Sequence, residues 1–229
     1  MVKLYDRLCR EALTQALRGV SASFSPEHRV DSSGQRVALF CVPDPEQLEA
    51  IVPLGLVRRF LAQGPAAFEF FDEGPSVEEL LTSLCKGLAL RQPLRWPARP
   101  DEPWLWLICR TRPHRTFSKL AFEHERGWPR GIYASPAALR MRLVVVNELP
   151  RTVGTLLLRL LGSDKPLKGA LTELGELGSS HPVGALMLPL IVRLHLESRA
   201  RAEPADRDVE HYLADTRDLS EAWAEKLGA

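Results

Sequence analysis

The stretch RMRLVVVNELPRTVGTLLLRLLG, at residues 140–162, decides the fold class. It begins with four consecutive aliphatic residues at 143–146, a pattern that is typical of a buried strand. Pro150 then marks a turn, and leucines recur at helical spacing from Leu156 to Leu161 before Gly162 ends the pattern. A buried strand that turns directly into a helix predicts an α/β fold.

The rest of the chain predicts further helices and strands on both sides of this unit. The predicted helices cover residues 3–18, 44–64 with a break at Pro53, 76–88, 166–177, 182–199 and 206–227. The predicted strands cover 20–29, 35–42, 66–71, 104–109, 117–123 and 140–147, with a turn-rich loop at 127–133. We expect a central mixed sheet of about four to five strands flanked by helices, because its apolar strands need cover on both faces. Residues 1–162 would form this core and residues 163–229 a helical C-terminal extension.

The composition is that of an ordinary folded protein, with 229 residues of which 45% are hydrophobic and 26% are charged. The N-terminus is charged, and the apolar runs stop well short of the ~20 residues that a membrane helix needs. These features predict a cytoplasmic protein with no membrane partner. The four cysteines are scattered without a Cys-x-x-Cys pair, so we expect them to be buried as small apolar side chains.

The net charge of +1 conceals a strongly basic segment. Between Lys86 and Lys168, sixteen basic residues stand against six acidic ones, and the rest of the chain is acidic. This segment fits a surface for nucleic-acid phosphate. It fits equally well a basic face that docks on acidic helices of the same chain. The candidate nucleic-acid contacts are Arg110, Arg112, Arg115 and Lys119.

Several common catalytic motifs are absent from the sequence. There is no phosphate loop G-x-x-x-x-G-K-[ST], no G-x-G-x-x-G, no G-x-S-x-G and no H-E-x-x-H. The six histidines have no spacing that would place two of them on one helix face. Phosphate-loop, serine-hydrolase and helix-borne zinc chemistry therefore have no support in the sequence.

Three carboxylates form the remaining candidate site. Glu11 lies on the first predicted helix, Asp31 at the turn between the first two strands, and Glu69 within the third strand. Metal-dependent phosphodiester hydrolysis needs acids held a few ångströms apart, and adjacent strands can supply that arrangement. The alternative is that Asp31 is an ordinary turn residue and that Glu69 faces outward from its strand.

The 140–162 unit also carries a resemblance to a known family. The segments LVVVNELPRT at 143–152 and LLLRLLG at 156–162 resemble the C-terminal region of Rpn-type recombination-promoting nucleases. These are bacterial-type, transposase-related proteins of the PD-(D/E)XK superfamily. The likeness continues through ALTEL at 170–174 and LPLIV at 188–192, and it covers roughly residues 104–197. Upstream, the chain resembles the family by element order alone.

The resemblance implies a restriction-endonuclease-like fold and a Mg²⁺-dependent DNA endonuclease. The family has an acid on its first helix, an Asp on its second strand, and Glu-x-Lys or Glu-x-Gln on its third. The helix acid would be Glu11 and the strand Glu would be Glu69. Ala38 and Phe71, however, stand where the Asp and the Lys or Gln are expected. Alanine cannot bind a metal ion and phenylalanine cannot stabilise developing charge, so the implied site is degraded.

Three functions follow as expectations. The first is a nuclease-fold protein, weakly active or inactive, that binds nucleic acid or a protein partner. The second is a non-catalytic assembly subunit or homo-oligomer with no nucleic-acid role, anchored by tryptophans at positions 96, 128 and 223 if they are exposed. The third is an active DNA endonuclease with Mg²⁺ as its cofactor. Its metal ligands would be Glu11, Asp31 and Glu69, and Lys86 would be its basic catalytic group.

Overall fold

The protein's structure, a computed structural model, describes residues 4–30, 34–49, 54–92, 101–201 and 207–227. Within these residues the chain forms a seven-stranded mixed sheet with helices on both faces. The strands are β1 (Ser21–Arg29), β2 (Arg36–Pro43), β3 (Ala66–Phe71), β4 (Trp104–Cys109), β5 (Glu123–His124), β6 (Ile132–Ala134) and β7 (Met141–Val145). The helices are α1 (Leu4–Arg18), α2 (Leu56–Leu61), α3 (Val77–Leu90), α4 (His114–Phe117), α5 (Leu156–Arg159), α6 (Asp164–Leu177), α7 (Pro182–Arg201) and α8 (Arg207–Leu227). The α/β class, the mixed sheet and the C-terminal helices are therefore confirmed.

The sheet has a parallel centre and antiparallel margins. Its strand order is β1-β2-β3-β4-β7-β6-β5. Strands β1, β2 and β3 form an antiparallel meander, whereas β3, β4 and β7 run parallel. The apolar strand of the 140–162 unit is β7, and its side chains are buried throughout. Helix α3 connects β3 to β4, so it runs back along the strands that it joins.

Local sequence signals account for several element ends. The backbone N–H of Glu79 donates to Ser76 Oγ at 3.2 Å, and the backbone N–H of Ser76 donates to Glu79 Oε2 at 2.8 Å. This is the predicted capping box at the start of α3. Gly178 ends α6 with a φ of +66°, which favours glycine because that residue has no Cβ.

The sheet is larger than predicted, since it has seven strands where four to five were expected. The strand predicted at 117–123 is wrong, because this region contains the end of α4, a turn and the first residue of β5. The predicted loop at 127–133 ends in β6, which pairs with β7. Strands of two and three residues are too short for a periodic pattern, so tertiary pairing decides their conformation. Gly131 permits this pairing, because a Cβ there would lie 2.8 Å from the Val145 carbonyl oxygen.

The core has one side-chain cluster on each face of the sheet. The larger cluster joins side chains from α1, α2 and α5 to α8 with the strands, and the smaller one includes Leu80 of α3. The C-terminal helices thus pack on the sheet, while a domain boundary at 162 stays a prediction. Cys9, Cys41 and Cys109 are buried as expected, but Cys85 is exposed, because it lies on the solvent side of α3.

Over the described ranges, no single helix is long and apolar enough to cross a membrane. The pair Asp164–Leu177 and Pro182–Ala200 reaches the required length and composition only when taken together. The two members of this pair are bent by 117° relative to each other.

Candidate functional site

Glu69 and Lys86 are brought together by the β3–α3 crossover. Glu69 lies in the second half of β3, and the return path of α3 carries Lys86 to the same level. Lys86 Nζ donates to Glu69 Oε1 at 2.8 Å, and the two side chains are 18% and 12% exposed. Glu69 is therefore largely buried, whereas the alternative hypothesis expected it to face outward from its strand.

The electrostatic environment of Glu69 combines burial with nearby cations. Burial raises the pKa of Glu69 above its ordinary value, although Lys86 and Arg10 favour the ionised carboxylate. Asp6 of α1 acts in the same direction as burial, because it is a like charge. The cation that compensates the Glu69 carboxylate is thus the ammonium group of the chain's own Lys86.

The two positions at which the sequence departs from the family supply no oxygen ligand. Leu39 of β2 pairs with Phe68 of β3, so Ala38 is one step further along the ladder toward Glu69. Ala38 is buried. Phe71 ends β3 and packs against the smaller core cluster. Both residues contribute to packing at this end of the sheet, and neither could replace a carboxylate or a lysine.

Glu11 is engaged with another helix. Arg7 Nε donates to Glu11 Oε1 at 2.8 Å, and Arg193 of α7 binds the other carboxylate oxygen. Arg7 also donates to Glu197 of α7 at 2.5 Å. Glu11 therefore belongs to an ion-pair group that joins α1 to α7. Asp31 lies outside the described residues.

Of the three predicted metal ligands, the structure describes Glu11 and Glu69. Among the described residues, no three side chains of His, Cys, Asp or Glu come together as a metal-binding group. The structure brings Glu69 and Lys86 together and places Glu11 in a separate ion-pair group.

Two of the four predicted nucleic-acid contacts are already paired with acids. Arg110 Nη1 donates to Asp72 Oδ1 at 2.5 Å, and its guanidinium lies 4.3 Å from the centroid of the Tyr5 ring. Arg112 Nε lies 2.8 Å from Glu148 Oε1. Lys119 is exposed, whereas Arg115 belongs to α4 and its side chain is outside the described part. For Arg110 and Arg112 the structure favours a basic face that pairs with the chain's own acids.

The 140–162 unit, which carries the family resemblance, forms a hydrogen-bond network that holds α6 against the turn before α5. The Arg159 side chain is 3% exposed, and it donates to the Thr152 carbonyl at 3.0 Å and to Glu173 Oε2 at 2.5 Å. Arg151 donates to the same Glu173 at 2.5 Å. Although partial burial opposes its ionisation, these hydrogen bonds lower the pKa of Glu173.

Asn147 provides a second link within the same unit. Its Oδ1 accepts the backbone N–H of Ser163 at 3.1 Å, and its Nδ2 donates to Ser163 Oγ at 3.0 Å. A Cβ at residue 162 would lie 2.8 Å from this Oδ1, so the close approach requires Gly162. The described contacts of the motif are therefore structural.

A cluster of arginine and tryptophan side chains was missed by the sequence reasoning. Arg142 of β7 is only 5% exposed, and its guanidinium lies 4.1 Å from the Trp104 ring centroid and 4.9 Å from that of Trp128. Trp128 is 8% exposed, so it is not a free anchor for a partner. Burial lowers the pKa of Arg142, although Glu125 supports its charge from 3.3 Å. These side chains come from separated segments, so no local sequence pattern predicts the cluster.

An exposed arginine extends this cluster to the surface. The Arg59 guanidinium lies 4.0 Å from the Trp128 ring centroid and donates to the Gly127 carbonyl at 2.6 Å. We call residues 125–131 the Trp128 loop. Arg126 and Arg130 of this loop are exposed, and among the described residues neither makes an ion pair.

Two open concavities lie beside the C-terminal helices. A cavity of about 490 Å³ follows the carboxyl ends of β3 and β4, which is a common place for ligands in α/β sheets. The two basic side chains Arg110 and Lys168 of its lining are paired within the cavity, since Arg110 binds Asp72 and Lys168 lies 3.2 Å from Asp215. A groove of about 720 Å³ separates α6 from α8 and is lined in part by Leu219 and Trp223.

Similarity to known proteins was tested in three comparisons. Family models, curated proteins and solved structures gave no match to this chain. The Rpn-type resemblance therefore stays a prediction.

Proposed function

We propose that this chain is an Rpn-type, restriction-endonuclease-like protein whose metal site is closed by Lys86, and that it binds nucleic acid in the cytoplasm without cutting it. The 2.8 Å contact between Lys86 Nζ and Glu69 Oε1 carries the proposal. The element order supports it as well. Helix α1, the β1-β2-β3 meander, α3 and a parallel β4 follow one another as the resemblance implies.

The donor set at Glu69 does not fit the Mg²⁺ ion that the resemblance implies. Mg²⁺ requires near-octahedral oxygen ligands, usually with one or two carboxylates among them. Here one oxygen of Glu69 is bonded to an ammonium group, and the side chains of Ala38 and Phe71 offer no oxygen ligand beside it. A divalent cation at this position would also be repelled by Lys86. We therefore assign no catalytic step to a metal ion.

A cleavage assay tests the catalytic part of the proposal. Purified protein is incubated with supercoiled plasmid and either Mg²⁺ or Mn²⁺, alongside the Glu69→Ala and Asp31→Asn variants. We expect all three proteins to leave the plasmid at the background level of nicking. Nicking by the wild type that disappears in either variant would establish the active endonuclease with displaced acids instead.

A binding titration tests the nucleic-acid part. Fluorescence anisotropy is measured with labelled duplex and single-stranded DNA at about 50 and 200 mM salt, since phosphate contacts release counterions and weaken with salt. We expect binding at the lower salt and a steep loss of affinity at the higher. Absence of binding at both salt concentrations would refute this part.

The α6–α8 groove favours an assembly subunit as a second candidate. Its apolar lining includes Leu171, Leu219 and the half-buried Trp223, and aromatic side chains of this kind anchor protein interfaces. Light scattering after size exclusion discriminates the two candidates. A wild-type oligomer that Trp223→Ala converts to a monomer would favour assembly, whereas a monomeric wild type favours the first proposal.

A further inference from the structure

The basic segment contains two kinds of arginine that differ in how their charge is compensated. Arg110, Arg112 and Arg159 each bind a carboxylate at hydrogen-bonding distance. Arg126 and Arg130 are exposed and, over the described ranges, have no acidic partner. Arginines of the first kind are thus compensated by carboxylates, whereas Arg126 and Arg130 present their positive charge at the surface of the Trp128 loop.

Charge is concentrated further by the arginines that contact Trp128. Arg59 and Arg142 lie within 4.0 and 4.9 Å of the same ring centroid, and the proximity of Arg59 contributes to the lowered pKa of Arg142. Glu125 compensates Arg142, but the Nη1 atom of that arginine has no hydrogen-bond partner among the described residues. Arg126 and Arg130 add two exposed guanidinium groups on either side of Trp128, while Glu123 and Glu125 lie on the β5 side of the loop beside Arg126. Exposed guanidinium groups attract polyanions.

We propose that the Trp128 loop is a binding surface for the phosphate backbone of nucleic acid, formed by Arg59, Arg126 and Arg130. The inference rests on the proposed function and names the surface by which it is carried out. Guanidinium groups bind phosphate oxygens through paired N–H donors, so exposed arginines bind phosphate with better-defined geometry than lysines do. Arg59 adds a flat guanidinium held against Trp128, on which an unpaired base can stack.

Nucleic acid fits this surface better than an acidic peptide does, because the surface offers a planar stacking group as well as positive charge. An acidic peptide needs cations alone, whereas a single strand supplies both phosphates and bases. The arginine over Trp128 provides a planar surface next to the two exposed cations of the loop. The pairing of a stacking surface with free cations matches single-stranded nucleic acid.

The decisive variant is Arg126→Gln/Arg130→Gln, compared with Arg18→Gln/Arg217→Gln as a charge-matched control. The control arginines are exposed residues of α1 and α8, far from the loop in sequence. For duplex DNA we expect the loop variant to lower the slope of log affinity against log salt by about 2, because each lost contact removes about 0.9. The control should keep the wild-type slope. Equal slopes in the two variants would overturn the proposal.

The Arg59→Lys variant tests the stacking role separately. It keeps the positive charge but removes the planar group, so we expect single-stranded affinity to fall by about 10-fold and duplex affinity to change by less than about 2-fold. An equal effect on both substrates would overturn the stacking role. Thermal unfolding of each variant establishes that it is folded.

The outcomes separate this inference from the proposed function. If the wild type binds nucleic acid and the loop variant binds as tightly, the surface lies elsewhere and only the inference fails. If the wild type binds neither duplex nor single-stranded DNA, both fail. If a polyglutamate peptide competes as effectively as DNA and shows the same dependence on Arg126 and Arg130, an acidic protein partner replaces nucleic acid.

Discussion

The α5 segment, residues 150–163, and the Trp128 loop belong to one basic segment, yet they use their arginines in opposite ways. In the α5 segment, Arg151 and Arg159 converge on Glu173 of α6, and Arg159 is almost completely buried. In the loop, Arg126 and Arg130 are exposed. The difference teaches that a basic segment is not by itself a binding surface. An arginine is available to a ligand only where the fold supplies no carboxylate to pair with it. Substitutions should therefore lower stability around α5 and lower ligand affinity in the Trp128 loop.

The largest effect is expected from Glu173→Ala, which removes the α6 carboxylate that pairs with Arg151 and Arg159. Arg159 would become a buried charge without its carboxylate, although it keeps its bond to the Thr152 carbonyl. We expect the free energy of unfolding to fall by about 3 kcal/mol, as for other broken buried ion pairs. Denaturant unfolding measures it. Glu176→Ala on the exposed side of the same helix is the control, and equal losses in the two variants would contradict the buried network.

Lys86→Met comes next, and its effect depends on pH. Without Lys86, the half-buried Glu69 carboxylate loses its cation, which should cost about 2 kcal/mol of unfolding free energy near pH 7. Because the folded pKa of Glu69 is raised above its unfolded value, folding takes up a proton as pH falls toward the ordinary value. The loss should therefore shrink as pH falls toward the ordinary carboxyl range, and Glu69→Gln/Lys86→Met should be as stable as Glu69→Gln alone.

Unfolding measured as a function of pH also provides the result that would contradict the Glu69–Lys86 ion pair. In the wild type, the contribution of Glu69 to stability decreases as pH rises through the window between its unfolded pKa and its raised folded pKa. Unfolding midpoints measured across that window report the contribution. A Lys86→Met loss that stays constant with pH would mean that the loss does not come from the ion pair with Glu69.

Arg142→Met is expected to have a small effect on the free energy of unfolding, in contrast to Glu173→Ala. Arg142 is buried among tryptophan rings, its pKa is lowered by burial, and its Nη1 lacks a hydrogen bond within the described part of the chain. Replacing such a charge by an apolar side chain of similar length should change the free energy of unfolding by less than about 1 kcal/mol. Urea unfolding checks this, and a loss comparable to that of Glu173→Ala would show that the tryptophan cluster depends on the cation.

The smallest effect on stability is expected from Arg126→Gln/Arg130→Gln in the loop. Surface substitutions away from ion pairs and caps lie within about 0.5 kcal/mol of the wild type. Calorimetry of the two proteins measures the difference in unfolding temperature. A large destabilisation would mean that these arginines have structural partners, and the comparison between the two regions would break down.

Sequence patterns predicted most of the framework, because its elements are long and periodic. The strand and turn at 140–162, the capping box at Ser76 and the three C-terminal helices all have local signals that the structure bears out. β5 and β6 have no such signal, since two- and three-residue strands form only where a neighbour pairs with them. The size of the sheet could therefore not be predicted.

The candidate site was predictable only where the topology is local. Glu69 and Lys86 are joined by one strand-to-helix crossover, and their proximity follows from the return path of α3. The carboxylate of Glu11 instead meets Arg193, which is 182 residues away in sequence. Likewise, Arg142 is enclosed by tryptophans from separate segments. Side-chain partners of this kind depend on how distant elements pack, which a single sequence does not contain.

Calorimetric titration of Mn²⁺ into the wild type, Glu69→Gln and Lys86→Ala tests the central claim most directly. The claim is that the Lys86 ammonium occupies the place of a metal ion at Glu69. We predict no saturable binding by the wild type and no difference between it and Glu69→Gln. Saturable wild-type binding that Glu69→Gln abolishes and Lys86→Ala preserves would contradict the claim.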